Sequence, residues 1–431
     1  MTDFQTAKYS FLKKSHQKNI LPIILVMILL LFHDTLAFDM MRNKYLVNYI
    51  MFFCCFLFYI KSLIIKPKIK IRKIQLLILT ILVILIFITM LVNQSFSGGY
   101  IYILMLLVIA FMVSQMITFN EFVEASIRCI FFLAVYSLIC YALRPVIFKF
   151  RYLIPHFYNS ANLPYFHLGA SVIVDLPLYN RLFGIFRECG VYQIFLNIAI
   201  ILELFIRKGN KRPVYIIIFY ITLLLTYSTA GYIAGLMIFI VYMFLSNIKK
   251  TKREKRTFIV LIVFAILAMF LAYSFSEVFS QSFNNTWKKF TNKESSYLGR
   301  TTSFVVELNL WKERPLFGYG ITEGMSKAKQ IGKQELGFFM FNTSTITGLM
   351  LTMGIFFAGI ISIMILIFVW KANTSFVGKL VIYAALILML TSQLMIYNAY
   401  FYAIVFFAIM PTQDNIKYNE AIELISSEKV N

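Results

Sequence analysis

IQLLILTILVILIFITMLV, residues 74–92, contains no ionisable side chain, and the basic run KPKIKIRK (66–73) stands directly before it. A helix needs about 20 such residues to cross the hydrocarbon of a bilayer. Comparable runs lie near 20–38, 45–65, 100–117, 126–143, 189–206, 213–230, 231–247, 257–274, 346–369, 376–396 and 398–411. The pattern predicts an all-α polytopic transmembrane helix bundle of about 12 spans, with 10–12 compatible with the run boundaries.

Composition agrees. Of 431 residues, 60% are hydrophobic and 14% charged, where a soluble domain carries about a quarter charged residues. A mean hydropathy of +0.78 places the apolar residues in long runs. The chain therefore reads as one transmembrane domain over 1–431, and a soluble globule is excluded.

The formal charge of +22, from 41 Lys and Arg against 19 acids, would suggest nucleic acid in a soluble protein. Here the cations cluster in short loops, as topology signals do, and no nucleic-acid fold signature is present. With the N-terminus inside, 23 of them fall in cytoplasmic segments, while the short outer loops hold only Arg42 and Lys44. That asymmetry predicts two cytoplasmic termini, with 412–431 a solvated tail. Lys8, Lys13, Lys14 and Lys18 precede the first apolar run, which reads as a retained helix, with cleavage near Ala37 as the alternative.

Two long segments, 144–188 and 275–345, then fall on the outer side. Pro145, Pro155, Pro164 and Pro177 break the first into short interfacial pieces. In the second, Phe304, Leu308 and Trp311 recur at helical spacing, which predicts an amphipathic helix on the outer face with Arg300 at its start and Pro315 as its stop. Cys54, Cys55, Cys129 and Cys140 lie in apolar runs, Cys189 stands at a membrane edge, and no CxxC pair exists, so neither a metal centre nor redox chemistry is expected. Gly318, Gly320 and Gly324 do not form GxGxxG, and there is no Walker A, HExxH or GxSxG sequence.

The stretch that could carry chemistry is RLFGIFRECG, residues 181–190. Arg181 and Arg187 either mark a membrane boundary, where cations gather, or face an aqueous cavity and an anion. Arg300, Lys312 and Arg314 share the expected outer face. A guanidinium matches phosphate oxygens bidentately and stays charged, which suits a pyrophosphate leaving group. Glu188 is the only acid of the stretch: a general base, or an ion-pair partner of its arginines. His156 and His167 show no nearby carboxylate in sequence and read as interfacial. Tyr192, Gln193 and Asn197 could line a polar face of the sixth span or bond between helices. Thr226, Tyr227, Ser228 and Thr229, with Gln393, Tyr397 and Asn398, could hold sugar hydroxyls or satisfy helix ends.

Four stretches together resemble the bacterial O-antigen and capsule repeat-unit polymerases, related to the O-antigen ligases. They are RLFGIFRECGVYQIFL (181–196), LLLTYSTAGYIAGLMIF (223–239), GRTTSFVVELNLWKERPLFGYG (299–320) and NTSTITGLMLTMGIFF (342–357). The first is similar to an R-x-x-G-x-F-x-E-P pattern and the third ends in a P-x-x-G-x-G loop. Cys189 stands where the family has proline, and Phe341 precedes Asn342 where the ligase branch has a histidine, which favours polymerase over ligase. The resemblance implies a glycosyltransferase type C-like bundle in the bacterial cytoplasmic (inner) membrane. It implies a metal-independent enzyme without cofactor that joins undecaprenyl-pyrophosphate-linked repeat units into O-antigen or capsular polysaccharide. In that reading Arg181 and Arg187 hold one pyrophosphate, Arg300 holds the second or positions its lipid-linked sugar, and Glu188 activates the acceptor hydroxyl. Tyr192, Gln193, Trp311, Arg314 and Asn342 line the substrate path. A chain-length regulator and a flippase would be partners, beside membrane lipid. The rivals are a ligase and a lipid-linked oligosaccharide flippase; the latter should carry ionisable residues deep in several helices, and most spans here have none.

Overall fold

The computed structural model describes residues 20–32, 44–65, 72–158, 164–175, 181–245, 295–336 and 344–411. The expected span at 257–274, the segment 1–19, Asn342 and the tail 412–431 lie outside the described residues.

In chain order the helices are α1 (Leu21–Leu31), α2 (Lys44–Ile65), α3 (Lys73–Val92), α4 (Gly98–Met116), α5 (Phe119–Ala142) and the short α6 (Arg144–Lys149). After a small sheet come α7 (Cys189–Ile201), α8 (Pro213–Leu225) and α9 (Thr229–Ile240). Then follow α10 (Ser295–Glu313), α11 (Ile321–Leu336), α12 (Thr345–Trp370), α13 (Phe376–Ser392) and α14 (Ala399–Ala408). Among the described residues five stretches are long and apolar enough to cross a membrane: Lys73–Val92, Gly98–Met116, Phe119–Ala142, Cys189–Ile206 and Thr345–Trp370. Six further apolar helices are shorter. The fold is thus the expected polytopic helix bundle. The expected span at 126–143 begins earlier, at Phe119, because Thr118 and Glu121 form a capping box: Glu121 N donates to Thr118 Oγ1 at 3.3 Å, and Thr118 N to Glu121 Oε2 at 2.8 Å.

Apolarity on all sides sends a helix to the centre. Every residue of α14 is buried, and so is every residue of α7. By contrast α3 shows Leu77, Ile84, Phe87 and Leu91 on an exposed face, as lipid contact would require. Two polar side chains inside α7 bond within the protein: Gln193 Nε2 donates to Gly190 O at 2.9 Å, and Asn197 Nδ2 to Gln193 O at 3.0 Å.

At one end of the bundle α7 runs into a π-turn, Leu202–Ile206, that holds the buried Glu203. Its carboxylate receives Arg207 Nε at 2.8 Å and Arg212 Nη2 at 2.6 Å, and Arg212 Nη1 reaches Glu124 Oε1 at 2.9 Å. Arg72 joins the same end by donating to Ser114 O at 2.5 Å.

α12 is broken at Gly354, whose φ is +78°. The bond that Ile355 N would make to Leu351 O in a continuous helix is absent from the break. Ile355 N donates instead to Pro315 O at 2.9 Å, and Leu351 O accepts from Tyr319 N at 2.7 Å. The loop Pro315-Leu-Phe-Gly-Tyr-Gly320 thus inserts its backbone into the broken turn. Gly318 (φ +61°) and Gly354 permit the approach: a Cβ at Gly354 would lie 2.0 Å from Leu316 O, and one at Gly318 2.3 Å from Leu351 O.

The first long segment differs from a set of interfacial helical pieces. After α6 and a 3₁₀ turn (Arg151–Leu153) it forms an antiparallel sheet of β1 (His156–Tyr158), β2 (Pro164–His167) and β3 (Val172–Val174). The prolines do not prevent it, since Pro155 precedes β1 and Pro164 is the first residue of β2. Val172 N donates to Gly184 O at 2.7 Å and fastens the sheet to the 181–188 loop.

α10 stops at Glu313, ahead of Pro315, as expected, but starts at Ser295 and turns a different face inward. Ser303, Val306, Glu307 and Leu310 are buried, whereas Phe304 is 38% exposed. A small second core decides this: Val306 and Leu310 pack with Tyr319, Ala328 and Leu351 from the loop, α11 and α12.

Candidate functional site

Arg181 and Arg144 line one small recess together with Ser137, Tyr141, Ser171, Val172, Ile173 and Leu182. Four segments build it. The end of α5 supplies Ser137 and Tyr141; the Leu143–Arg144 step into α6 supplies the first guanidinium; β3 and the 181–188 loop close it. Leu182 N donates to Leu225 O at 2.9 Å, which pins Arg181 beside the turn between α8 and α9. In that turn Tyr227 adopts φ +50°, an unusual backbone for an aromatic residue. Burial pushes the Tyr227 phenol up, the neighbouring Tyr141 and Tyr232 phenols add to this, and the nearby charge of Arg181 pulls it back. Burial lowers the Arg144 guanidinium, and Tyr141 partly offsets the effect. Two cations among hydroxyls, half-withdrawn from water, make a setting in which an anion with hydroxyl-bearing substituents is stabilised more than in bulk solvent.

Arg187 does something else. Its Nη2 donates to Leu394 O at 2.8 Å, in the break between α13 and α14. This break, 393–398, gathers several parts of the bundle. Thr345 Oγ1 donates to Gln393 O and accepts from Met395 N at 2.8 Å. Asn398 Oδ1 caps α14 by accepting from Phe401 N at 3.0 Å, and Tyr402 Oη donates to Ile396 O at 2.9 Å. The first turn of α12 in turn meets α10: Thr347 Oγ1 donates to Glu307 Oε2, and Ser303 Oγ to Glu307 Oε1 at 2.9 Å. A continuous set of contacts therefore joins the 181–188 loop to the helix that carries Arg300.

The other expected site residues fall around this frame. Glu188 is exposed at the N-cap of α7, with its carbonyl accepting from Val191 N at 3.1 Å. Tyr192 is fully buried and its hydroxyl meets Ser137 Oγ at 2.9 Å, so it braces the floor of the recess. Gln193 is equally buried, beneath Gly231. Trp311 Nε1 donates to Pro315 O at 2.9 Å. Arg314 lies over the Tyr319 ring at 4.5 Å and donates to Asn93 Oδ1 at 3.3 Å. These two therefore steady the glycine loop. Arg300 is placed by its backbone alone, within α10; Asn342 is outside the described residues. His156, expected without a carboxylate, has one: its Nε2 lies 2.7 Å from Asp175 Oδ2, brought there by the pairing of β1, β2 and β3.

Sequence reasoning missed Arg144 and Glu307. Arg144 follows an apolar run and precedes Pro145, and so looks like an ordinary boundary cation. Only the return of β3 and Arg181 onto the end of α5 gives it a role. Glu307 could have been noticed as an acid placed two helical turns after Arg300 on the same face.

With this geometry in view, comparison with known proteins gives one family: residues 214–356 match the family model described as O-antigen ligase, about a third of the chain. The matched region runs from α8 through the glycine loop to the break in α12. It bears out the resemblance to the O-antigen polymerase and ligase superfamily, and with it an O-antigen-related glycosyl-transferring membrane protein. No curated protein matches the chain.

Proposed function

We propose, starting from the O-antigen ligase match, that this chain is an oligosaccharide repeat-unit polymerase of the bacterial cytoplasmic membrane. It would transfer a growing glycan from undecaprenyl pyrophosphate to the terminal sugar hydroxyl of a second lipid-linked repeat unit. The observation that carries the reading is the recess shared by Arg144 and Arg181. As the bond between the anomeric carbon and the pyrophosphate breaks, negative charge collects on the leaving oxygens, and two preset guanidiniums stabilise that charge without reorganising. Tyr141 and Ser137 offer hydroxyls to the same ligand. Glu188, exposed at the mouth of α7, is the proposed acceptor base. Arg300 on α10 holds the acceptor's pyrophosphate, and Arg187 holds the loop rather than the lipid.

The loops that carry these arginines face the outer side in this reading, as the lysine and arginine asymmetry supports. Metal independence belongs to the proposal, as do a flippase that supplies the lipid-linked unit and a chain-length regulator. The test uses the full chain in nanodiscs with an undecaprenyl-pyrophosphate-linked repeat unit. A ladder of polymer that persists with chelator and disappears in Arg181→Ala supports the reading; a ladder of undiminished length from Arg181→Ala and from Arg144→Ala refutes it.

The family description itself favours one alternative, a ligase. Deleting the gene separates the two. Single repeat units on the final acceptor mean polymerase, whereas accumulated lipid-linked polymer means ligase.

A further inference from the structure

Glu307 lies on the buried face of α10, fully enclosed, and both carboxyl oxygens are met by hydroxyls, from Ser303 one turn earlier and from Thr347 in the first turn of α12. Gly348, the next residue of α12, packs close to Ile396 and Leu394: a Cβ there would stand 3.2 Å from Ile396 Cδ1 and 3.4 Å from Leu394 Cδ1. The charges of the surrounding elements are turned elsewhere. α12 has no ionisable side chain. On α11, Glu323 pairs with Lys327 at 3.1 Å, Lys327 lies over the Tyr319 ring, and Lys329 and Lys333 are exposed. On α10 itself Lys312 and Glu313 are exposed, and Arg314 beyond its end lies over Tyr319. The 393–396 break, one step further along the contacts, is uncharged. Among the described residues no cation meets Glu307.

We infer that Glu307 is a positioning residue: carrying a proton it holds α10, and Arg300 with it, on the head of α12, and when ionised it releases them. The inference rests on the transfer reaction proposed above. Three observations bear on it. Arg300 precedes Glu307 by seven residues, so it shares a face of α10 at about 10 Å along the axis. The turn of α12 that receives Glu307 also binds the 393–395 segment through Thr345, and Arg187 binds Leu394 from the other loop. A carboxyl enclosed with hydroxyls alone is held in its neutral form by the cost of burying charge. Burial raises the Glu307 carboxyl from 4.5 to about 7, with Thr347 and Ser303 pulling it part of the way back.

The sign follows from linkage. The docked state binds a proton that the released, solvated carboxyl gives up near its ordinary value. Docking is therefore strongest at low pH, and it weakens by up to about tenfold per pH unit as pH rises through the window toward about 7. Above that window the loss is complete and does not grow.

Hydrogen exchange over 295–313 in the nanodisc-embedded full chain tests this, with wild type and Glu307→Gln compared at each pH so that intrinsic exchange cancels. The amide of glutamine keeps the two hydroxyl contacts without a titrating group. The two proteins should be equally protected at pH 4, below the carboxyl's ordinary value, and wild type should open at least about tenfold faster at pH 7.5. Thr347→Val, which removes one partner and no charge, should open faster than Glu307→Gln at both. Equal protection of wild type and Glu307→Gln at every pH overturns the inference, and so does a Glu307→Gln as open as Glu307→Ala at pH 4. In the transfer assay, turnover by Glu307→Gln should vary less between pH 6 and 8 than turnover by wild type. A wild type that makes no polymer at all sinks the polymerase reading, and the exchange comparison still decides the role of Glu307.

Discussion

Arg181, Arg144 and Arg187 lie at one end of the bundle, yet a single substitution should tell them apart. Arg181→Ala or Arg144→Ala removes one of the two guanidiniums from the recess, and for Arg144 its stacking over the Phe148 ring as well. We expect turnover to fall by about 10²–10³-fold, the scale of losing one preset donor to a developing anion, with the thermal midpoint of the purified protein little changed. Arg187→Ala leaves Leu394 O without its donor and should cost roughly 1–3 kcal/mol of stability, seen as a lowered midpoint. A stable but inactive Arg187→Ala would show that this side chain meets substrate after all. The difference was not legible in RLFGIFRECG. Sequence shows that two cations flank a membrane helix; it cannot show which one finds a carbonyl from a segment two hundred residues later. Glu203 offers a second contrast at the same scale. Its buried carboxylate is held by Arg207 and Arg212, and Arg212 keeps Glu124 when Glu203 is removed, so Glu203→Ala should cost about 1–3 kcal/mol. A melting curve within about a degree of wild type would contradict that.

At the scale of elements, the bundle was legible wherever an apolar run was long and bounded by cations, as at Lys73–Val92 and Thr345–Trp370. The face of α10 was not. Phe304, Leu308 and Trp311 make a plausible apolar stripe, but the second core recruits Val306 and Leu310 and takes Glu307 with them. Periodicity finds a helix more readily than it finds which side of it will be covered, because the covering segments here are a loop and two helices further along the chain. The P-x-x-G-x-G loop was legible as a motif and opaque as a mechanism. Its first glycine, Gly318, is required because Leu351 O lies 2.3 Å from where a Cβ would stand. Gly354→Ala and Gly318→Ala should each cost at least about 2 kcal/mol, since a positive φ and a backbone clash act together. Limited proteolysis should then cut near residues 315–320. Either variant melting like wild type would mean that the loop is not docked in the broken turn.

For the whole molecule, one testable consequence concerns sidedness. Asn210 is exposed at the Glu203 end, and Tyr152 is 82% exposed near the recess. With cytoplasmic termini, Asn210→Cys should react with a membrane-impermeant maleimide only after the cells are opened, and Tyr152→Cys should react in intact spheroplasts. The reverse pattern would turn the bundle over and place the arginine recess on the side where lipid-linked units are made. The broken turn of α12 has a different kind of consequence, one of biogenesis. Ile355 N and Leu351 O are completed by Pro315 O and Tyr319 N respectively, from a segment synthesised earlier. Unpaired backbone groups are costly in hydrocarbon, so α12 cannot mature as an autonomous span. The ribosome delivers the loop first, and the loop must wait beside the membrane until its receptor emerges. A chain severed between residues 336 and 344 should therefore reassemble from two co-expressed fragments, each degraded when made alone.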